Sequence, residues 1–339
     1  MNIIFGEQAS AQLSMLTNNY DKFFVLTDEN IYRVYSSLIA SLLPEKEVTK
    51  IVIPAGEESK SIENVIFIWN KLLEAKAGRD SLLINLGGGT ITDIGGFAAS
   101  TYKRGIDFIN VPTTLLAMID ASIGGKNGIN FNNYKNQIGL FSEPNSVIIN
   151  PNFLKTLNER DIKSGLAEMM KYAFIADESL LDLDSDNYLD FIEKAAEIKE
   201  DIVSLDMKET GLRKILNFGH TIGHALESYY LGKENYLTHG EAVALGIYSA
   251  LYLSVKYCGL DDKWLFFYEM WFKGNLSLMN LNGFDVDAVY SYLSYDKKNK
   301  GGKPQFVLIS APGKPKIDVE VFEGDIKESI AILKNKFSE

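Results

Sequence analysis

The sequence predicts two domains: an α/β N-terminal domain with a mostly parallel sheet over residues 1–150, and an all-α C-terminal domain over residues 151–339. Three observations carry this. In the first half, β-branched and aromatic runs alternate with helical patterns, as βαβ units require. Beyond Pro151 there is no proline from Asn152 to Lys303, and long amphipathic patterns dominate. A chain of 339 residues, 46% of them apolar, is also long enough for two cores of ordinary size.

Taken in order, the apolar runs predict strands at 23–27, 50–53, 82–86, 108–111 and 147–149. Between the second and third, Ile62, Val65, Ile66, Trp69, Leu72 and Leu73 recur at helical spacing and predict a helix over 61–75. Asn150-Pro151 marks the domain boundary, and 188–205 reads as an amphipathic helix. The long apolar stretch 242–255 is broken by Gly246 and Ser249 and stops at Lys256, too short for a membrane span.

Composition narrows the function. A net charge of −11 argues against nucleic acid and anionic membrane as partners, because both demand a positive surface field. Cys258, the single cysteine, can form neither an internal disulfide nor a thiolate zinc site, so it is expected to pack in the core. Metal ligation is left to His, Asp and Glu. The N-terminus shows no basic stretch followed by an apolar one, so a cytoplasmic protein is expected.

Three strand ends could hold a ligand. The strand ending at Leu86 runs into Gly87-Gly88-Gly89-Thr90-Ile91-Thr92-Asp93 and then an apolar helix face. Glycines let the backbone approach a pyrophosphate, whose charge the following helix N-terminus stabilises. Pro112-Thr113-Thr114 and Gly56-Glu57-Glu58-Ser59-Lys60 follow two other strands. The order strand, glycine turn, helix makes the first domain a candidate nucleotide-binding domain.

All three histidines of the chain, His220, His224 and His239, fall within twenty residues. His220 and His224 share a helix face at i, i+4, which by spacing alone suggests a ligand pair for a catalytic metal. Thr221 stands where the protease motif His-Glu-x-x-His has its base, so that chemistry is excluded. Glu168 offers a carboxylate on a helix, with Lys171 on the same face and Met169 and Met170 suggesting burial.

In this order the motifs resemble those of 3-dehydroquinate synthases: the glycine turn at 87–93, Thr-Tyr-Lys-Arg-Gly at 101–105, and Val-Pro-Thr-Thr-Leu-Leu-Ala at 111–117. To these add Asp-Ala-Ser-Ile-Gly-Gly-Lys at 120–126, Ser-Gly-Leu-Ala-Glu at 164–168, Glu-Thr-Gly-Leu-Arg at 209–213, the run Leu216 to Glu227 around His220 and His224, and His-Gly-Glu-Ala-Val at 239–243. The resemblance runs from about Thr27 to Lys298. It implies an NAD-binding α/β domain, a helical metal- and substrate-binding domain, and an active site in the cleft between them.

It also implies a reaction, the conversion of 3-deoxy-D-arabino-heptulosonate 7-phosphate, a phosphorylated sugar acid, to 3-dehydroquinate and phosphate in the shikimate pathway. A divalent metal, zinc or cobalt, is implied at Glu168, His220 and His239, with His224 in the site but not a ligand. Substrate contacts are implied at Asp120, Lys126, Asn136, Lys171, Lys199, Arg213, Asn217 and one of Lys297 or Lys298. Arg104 is expected to reach the phosphate from the other subunit of a homodimer. NAD contacts are implied at Asp28, Glu57, Lys60, Gly88, Gly89, Asp93, Thr113, Thr114 and Lys135, and Lys126 also borders the cofactor. Three departures stand out: Asn127 where a threonine is usual, a slightly long His220–His239 interval, and a divergent stretch at 260–287. Two rival readings are a sister sugar-phosphate cyclase, such as an inosose or valiolone synthase, and a metal-dependent dehydrogenase of the glycerol type. His224, Lys199, Arg213 and Asn217 speak against the first, and the cationic phosphate pocket against the second.

Overall fold

The computed structural model describes residues 1–6, 19–41, 47–132, 134–233, 235–276, 281, 284–293 and 304–337. These form two compact units, Met1–Asn158 with Lys199–Lys208, and Glu159–Ile198 with Glu209–Glu339.

The first unit contains β1 (Asn2–Phe5), β2 (Lys22–Asp28), α1 (Glu29–Ser41), β3 (Val48–Ile53), α2 (Ile62–Glu74), β4 (Ser81–Gly87), α3 (Gly89–Thr101), β5 (Asp107–Pro112), β6 (Lys126–Phe131), β7 (Tyr134–Phe141) and β8 (Ser146–Ile149). Six strands make one sheet in the order β1-β8-β5-β4-β2-β3, and every pair in it is parallel. β4 is buried along its whole length, which is why it reads as an apolar run rather than an alternating one. The predicted strands match five of these to within two or three residues at each end. The predicted helix at 61–75 is α2, whose N-cap Ser61 accepts from Asn64 N. Chain order sets the important feature. From β2 the chain moves outward to β3, and from β4 it moves the other way to β5, so a topological switch point lies between β2 and β4. Parallel sheets bind ligands outside the strand ends at such a point.

The second unit contains α4 (Glu159–Ile175), the first half of α5 (Ile192–Leu205), α6 (His220–Tyr230), α7 (His239–Cys258), α8 (Lys263–Asn275), α9 (Val286–Leu293), β9 (Gln305–Ile309), β10 (Pro315–Glu320) and α10 (Glu323–Phe337). It is helical as predicted, with one addition, the antiparallel β9–β10 ribbon. The helix expected over 188–205 is a 3-10 turn at Tyr188–Phe191 leading into α5. α7 holds the apolar stretch and is the buried centre of the unit. A capping box between Thr238 and Glu241 starts it, and Gly259 in the left-handed conformation ends it. Cys258, expected in the core, is only half-buried at the last residue of α7. No helix among the described residues is long and apolar enough to cross a membrane.

Candidate active site

Glu168 lies in the middle of α4 and is fully buried. Burial alone would push its carboxyl up, but the Lys171 ammonium and the imidazole of His220 hold it well below the usual carboxylate range. Lys171 Nζ is 2.6 Å from Oε2. On the other oxygen, Oε1, two imidazoles converge: Nε2 of His220 at 3.4 Å and Nε2 of His239 at 3.2 Å. Each ring is held from behind, His220 by Phe218 O at 3.1 Å from Nδ1 and His239 by Glu227 Oε2 at 3.3 Å from Nδ1. An outer partner on Nδ1 is the usual way of aiming Nε2 at a metal.

A divalent ion fits this donor set. Neither Glu168 oxygen has a hydrogen-bond partner of good geometry, although both are buried. Donors around a tetrahedral zinc at its normal bond lengths stand ~3.4 Å apart, which the two Nε2–Oε1 separations resemble. His224 is half-buried nearby, its ring centre 5.2 Å from that of His220 and 5.7 Å from that of His239. Ligand atoms of the three imidazoles all lie within 4.8 Å of one another. Three imidazoles could therefore also hold a cation, but only the set with Glu168 supplies anionic charge and accounts for that carboxylate. Burial holds the His220 imidazole below its ordinary range, while Glu168 and Glu227 outweigh burial at His239 and raise it to about 10.

Other predicted residues of this unit lie on nearby segments. Arg213 and Asn217 belong to the 3-10 segment Leu212–Asn217 that leads into α6. Arg213 is fully buried, and Asn217 donates to Glu209 Oε1 at 2.6 Å. Lys297 and Lys298 lie outside the described residues.

In the first unit, the ends of β2, β3, β4 and β5 lead into most of the residues predicted to contact NAD. Lys60 is buried, with Nζ 2.7 Å from Asp93 Oδ2, 2.6 Å from Asn136 Oδ1 and 3.5 Å from Glu57 Oε1. Burial pushes the Lys60 ammonium down, yet Asp93 and Glu57 hold it above its usual range and keep it charged. Glu57 is fixed by Thr90 Oγ1 at 3.1 Å and Asn130 Nδ2 at 3.0 Å. Thr90 and Asn130 were not singled out by sequence. Thr90 lay inside a recognised motif, but nothing around Asn130 marks it. Asp28 accepts from Asn30 N and Ile31 N, so in this structure it caps α1.

The residues at the glycine turn fit a dinucleotide phosphate. Gly88 is the N-cap of α3 and supplies no side-chain cap, an arrangement that suits the N–H groups of the first turn to a ligand phosphate. The buried Thr113 hydroxyl at the end of β5 has no hydrogen-bond partner, and neither has Thr27 on β2, on the other side of β4. Thr114 Oγ1 accepts from Ala117 N and so starts the following turn. Asp120, within the π-turn Ala117–Ala121, accepts from Lys199 Nζ at 2.5 Å. Lys126 and Lys135 are exposed on the β6–β7 hairpin. Asn127 is buried and donates to Gly125 O at 3.1 Å and Ser142 O at 2.7 Å, so this departure staples the hairpin base beside Lys126. Arg104 is exposed, and it and Lys103 occupy consecutive left-handed positions, φ 68° and 50°.

Family models of the 3-dehydroquinate synthase N-terminal and C-terminal domains match residues 50–164 and 165–299, together most of the chain. The chain belongs to the 3-dehydroquinate synthase family. A 3-dehydroquinate synthase of Parabacteroides distasonis is 42% identical over 327 residues, 94% of this chain and 93% of that one. Two solved sugar-phosphate cyclases share the fold at 25% identity. A 2-deoxy-scyllo-inosose synthase bound to carbaglucose-6-phosphate, NAD+ and Co2+ superposes with TM-score 0.87, covering 97% of this chain and 95% of that one. A 2-epi-5-epi-valiolone synthase from Streptomyces hygroscopicus subsp. jinggangensis, with NAD+ and Zn2+ bound, does so with TM-score 0.89, covering 99% and 97%. Membership of the 3-dehydroquinate synthase family makes this chain a sugar-phosphate cyclase and removes the dehydrogenase reading.

Proposed function

We propose that the chain converts 3-deoxy-D-arabino-heptulosonate 7-phosphate to 3-dehydroquinate and phosphate in the shikimate pathway, using NAD and one zinc or cobalt ion. The convergence of His220 and His239 on Glu168, in a chain of this family, carries the reading. NAD+ with Co2+ or Zn2+ in the two neighbouring cyclases supports the cofactors. The 42% identity to a 3-dehydroquinate synthase, against 25% to each of those cyclases, favours this ring over theirs.

In this proposal residues 1–150 bind NAD, and 151–339 bind metal and substrate. Glu168, His220 and His239 would hold the ion. When bound, the ion supplies a Lewis acid for a substrate hydroxyl and NAD supplies a reversible hydride acceptor. The chain's own residues then have separable tasks. Lys171 keeps Glu168 ionised. Lys60, Glu57 and Asp93 form a prearranged polar wall at the glycine turn, with Gly88, Gly89, Asp28, Thr113, Thr114, Lys126 and Lys135 completing the NAD contacts. Asp120, Lys126, Asn136, Lys171, Lys199, Arg213, Asn217 and one of Lys297 or Lys298 orient the sugar acid and its phosphate, and the lysines and Arg213 among them offset negative charge as phosphate leaves. His224, beside the ligands, hydrogen-bonds the substrate. Arg104 reaches the phosphate from the second subunit of a cytoplasmic homodimer.

The test is to incubate the purified chain with the heptulosonate phosphate, NAD and cobalt, and to identify the product by mass and NMR. 3-Dehydroquinate with one equivalent of phosphate supports the proposal. A different carbocycle, or an oxidised open-chain product, overturns it.

A further inference from the structure

We infer that Arg160 and Ser164 are positioning residues that set the register of Glu168 against His239 before any metal binds. The inference rests on the metal reading above. Residues 160, 164 and 168 are spaced i, i+4, i+8 along α4 and therefore share one face. That face meets the start of α7 residue by residue. Arg160 forms a two-pronged pair with Glu241, Nε to Oε1 at 2.7 Å and Nη2 to Oε2 at 2.7 Å. Ser164 Oγ accepts from Gly240 N at 3.0 Å. Glu168 Oε1 is 3.2 Å from His239 Nε2.

The three contacts run 160 to 241, 164 to 240 and 168 to 239, so a slip of either helix would break all of them together. Contact is close enough that a Cβ on Gly240 would fall 2.0 Å from Ser164 O. Arg160 also fixes the approach to the helix. Its Nη2 donates to Tyr236 O at 2.6 Å, and its guanidinium lies 4.6 Å from the centre of the Tyr236 ring. Its partner Glu241 accepts from Thr238 N at 2.7 Å as half of the capping box. One guanidinium thus holds both flanks of His239, at positions 236 and 241. A planar fork suits this task, whereas a lysine could make only one of these bonds well.

The test uses full-length protein freed of metal and titrated with cobalt(II) against a competing chelator. The visible cobalt spectrum reports the geometry of the site, and the folded fraction is followed by circular dichroism. Wild type is expected to take one cobalt per chain. Arg160→Gln and Ser164→Ala are expected to fold, to bind cobalt about tenfold more weakly, and to show an altered spectrum. Arg160→Lys should fall between. Should Arg160→Gln fail to fold, Ser164→Ala and Arg160→Lys decide by the same readings. Variants with wild-type affinity and spectrum overturn the inference, as does a loss that merely follows the unfolded fraction. If wild type itself binds no cobalt, the metal reading fails and this inference with it.

Discussion

A carboxylate with no good hydrogen bond, buried as deeply as Glu168, is costly unless charge nearby compensates it, and Lys171 with two imidazoles does so. Removing one imidazole should therefore show first in metal content. We expect His220→Ala and His239→Ala to purify with less than about a tenth of the wild-type metal, since each loses one of three ligands. His224→Ala should stay near one ion per chain while losing activity. Metal analysis of the three variants checks this, and equal loss from His224→Ala would restore the i, i+4 pair as the ligand pair. A second residue separates charge from capping. Asp177 caps a 3-10 turn and pairs with Lys194 at 2.8 Å, contacts that together hold its carboxyl at about 2. Its folded pKa lies below the unfolded value, so its contribution is present above about pH 4 and fades as pH falls toward about 2. Asn keeps the cap, and the side chains are 37% and 42% exposed. Asp177→Asn should thus cost no more than about 1 kcal/mol at pH 7 and clearly less at pH 2, read from denaturant unfolding at both pH values.

At the scale of elements, the histidine cluster depends on how closely α6 and α7 cross. A Cβ on Gly246 of α7 would lie 1.8 Å from Gly219 O at the start of α6. Gly246→Ala should therefore cost about 3 kcal/mol or more, or prevent folding, because neither backbone can yield without moving His220. Denaturant unfolding measures it, and a change below about 1 kcal/mol would mean the crossing is looser than described. The same crossing shows what could be read from sequence. The β4–glycine turn–α3 unit was legible because a strand buried on both faces is a continuous apolar run with an unmistakable break. Which imidazoles point at a metal was not, since spacing treats His220 and His224 alike and only α4, some fifty residues upstream, distinguishes them. Glu227 carried a readable signal, seven residues from His220 and so on the same helix face. The β6–β7 hairpin went unpredicted because β6 is buried over three consecutive residues and β7 is exposed along almost its whole length, so neither strand, each carrying Asn and Gly, shows the alternation a half-buried strand has.

For the whole molecule, the proposed homodimer makes a distinct demand on Arg104, exposed at a turn of two left-handed residues. If it serves the other subunit, mixing inactive Arg104→Ala and Lys171→Ala proteins and allowing subunits to exchange should restore up to about a quarter of wild-type activity. Absence of recovery in exchanged dimers would place Arg104 in its own subunit's site or outside the site. In the proposed reaction NAD would be needed yet not consumed, because it would serve as a reversible hydride acceptor within each turnover. The direct measurement holds NAD at a small fraction of the substrate concentration, with cobalt present, and follows phosphate release alongside absorbance from NADH. Catalytic use of NAD would give many equivalents of phosphate per NAD and no NADH beyond a small enzyme-bound amount; NADH rising in step with product, and turnover stopping when NAD is exhausted, would contradict it.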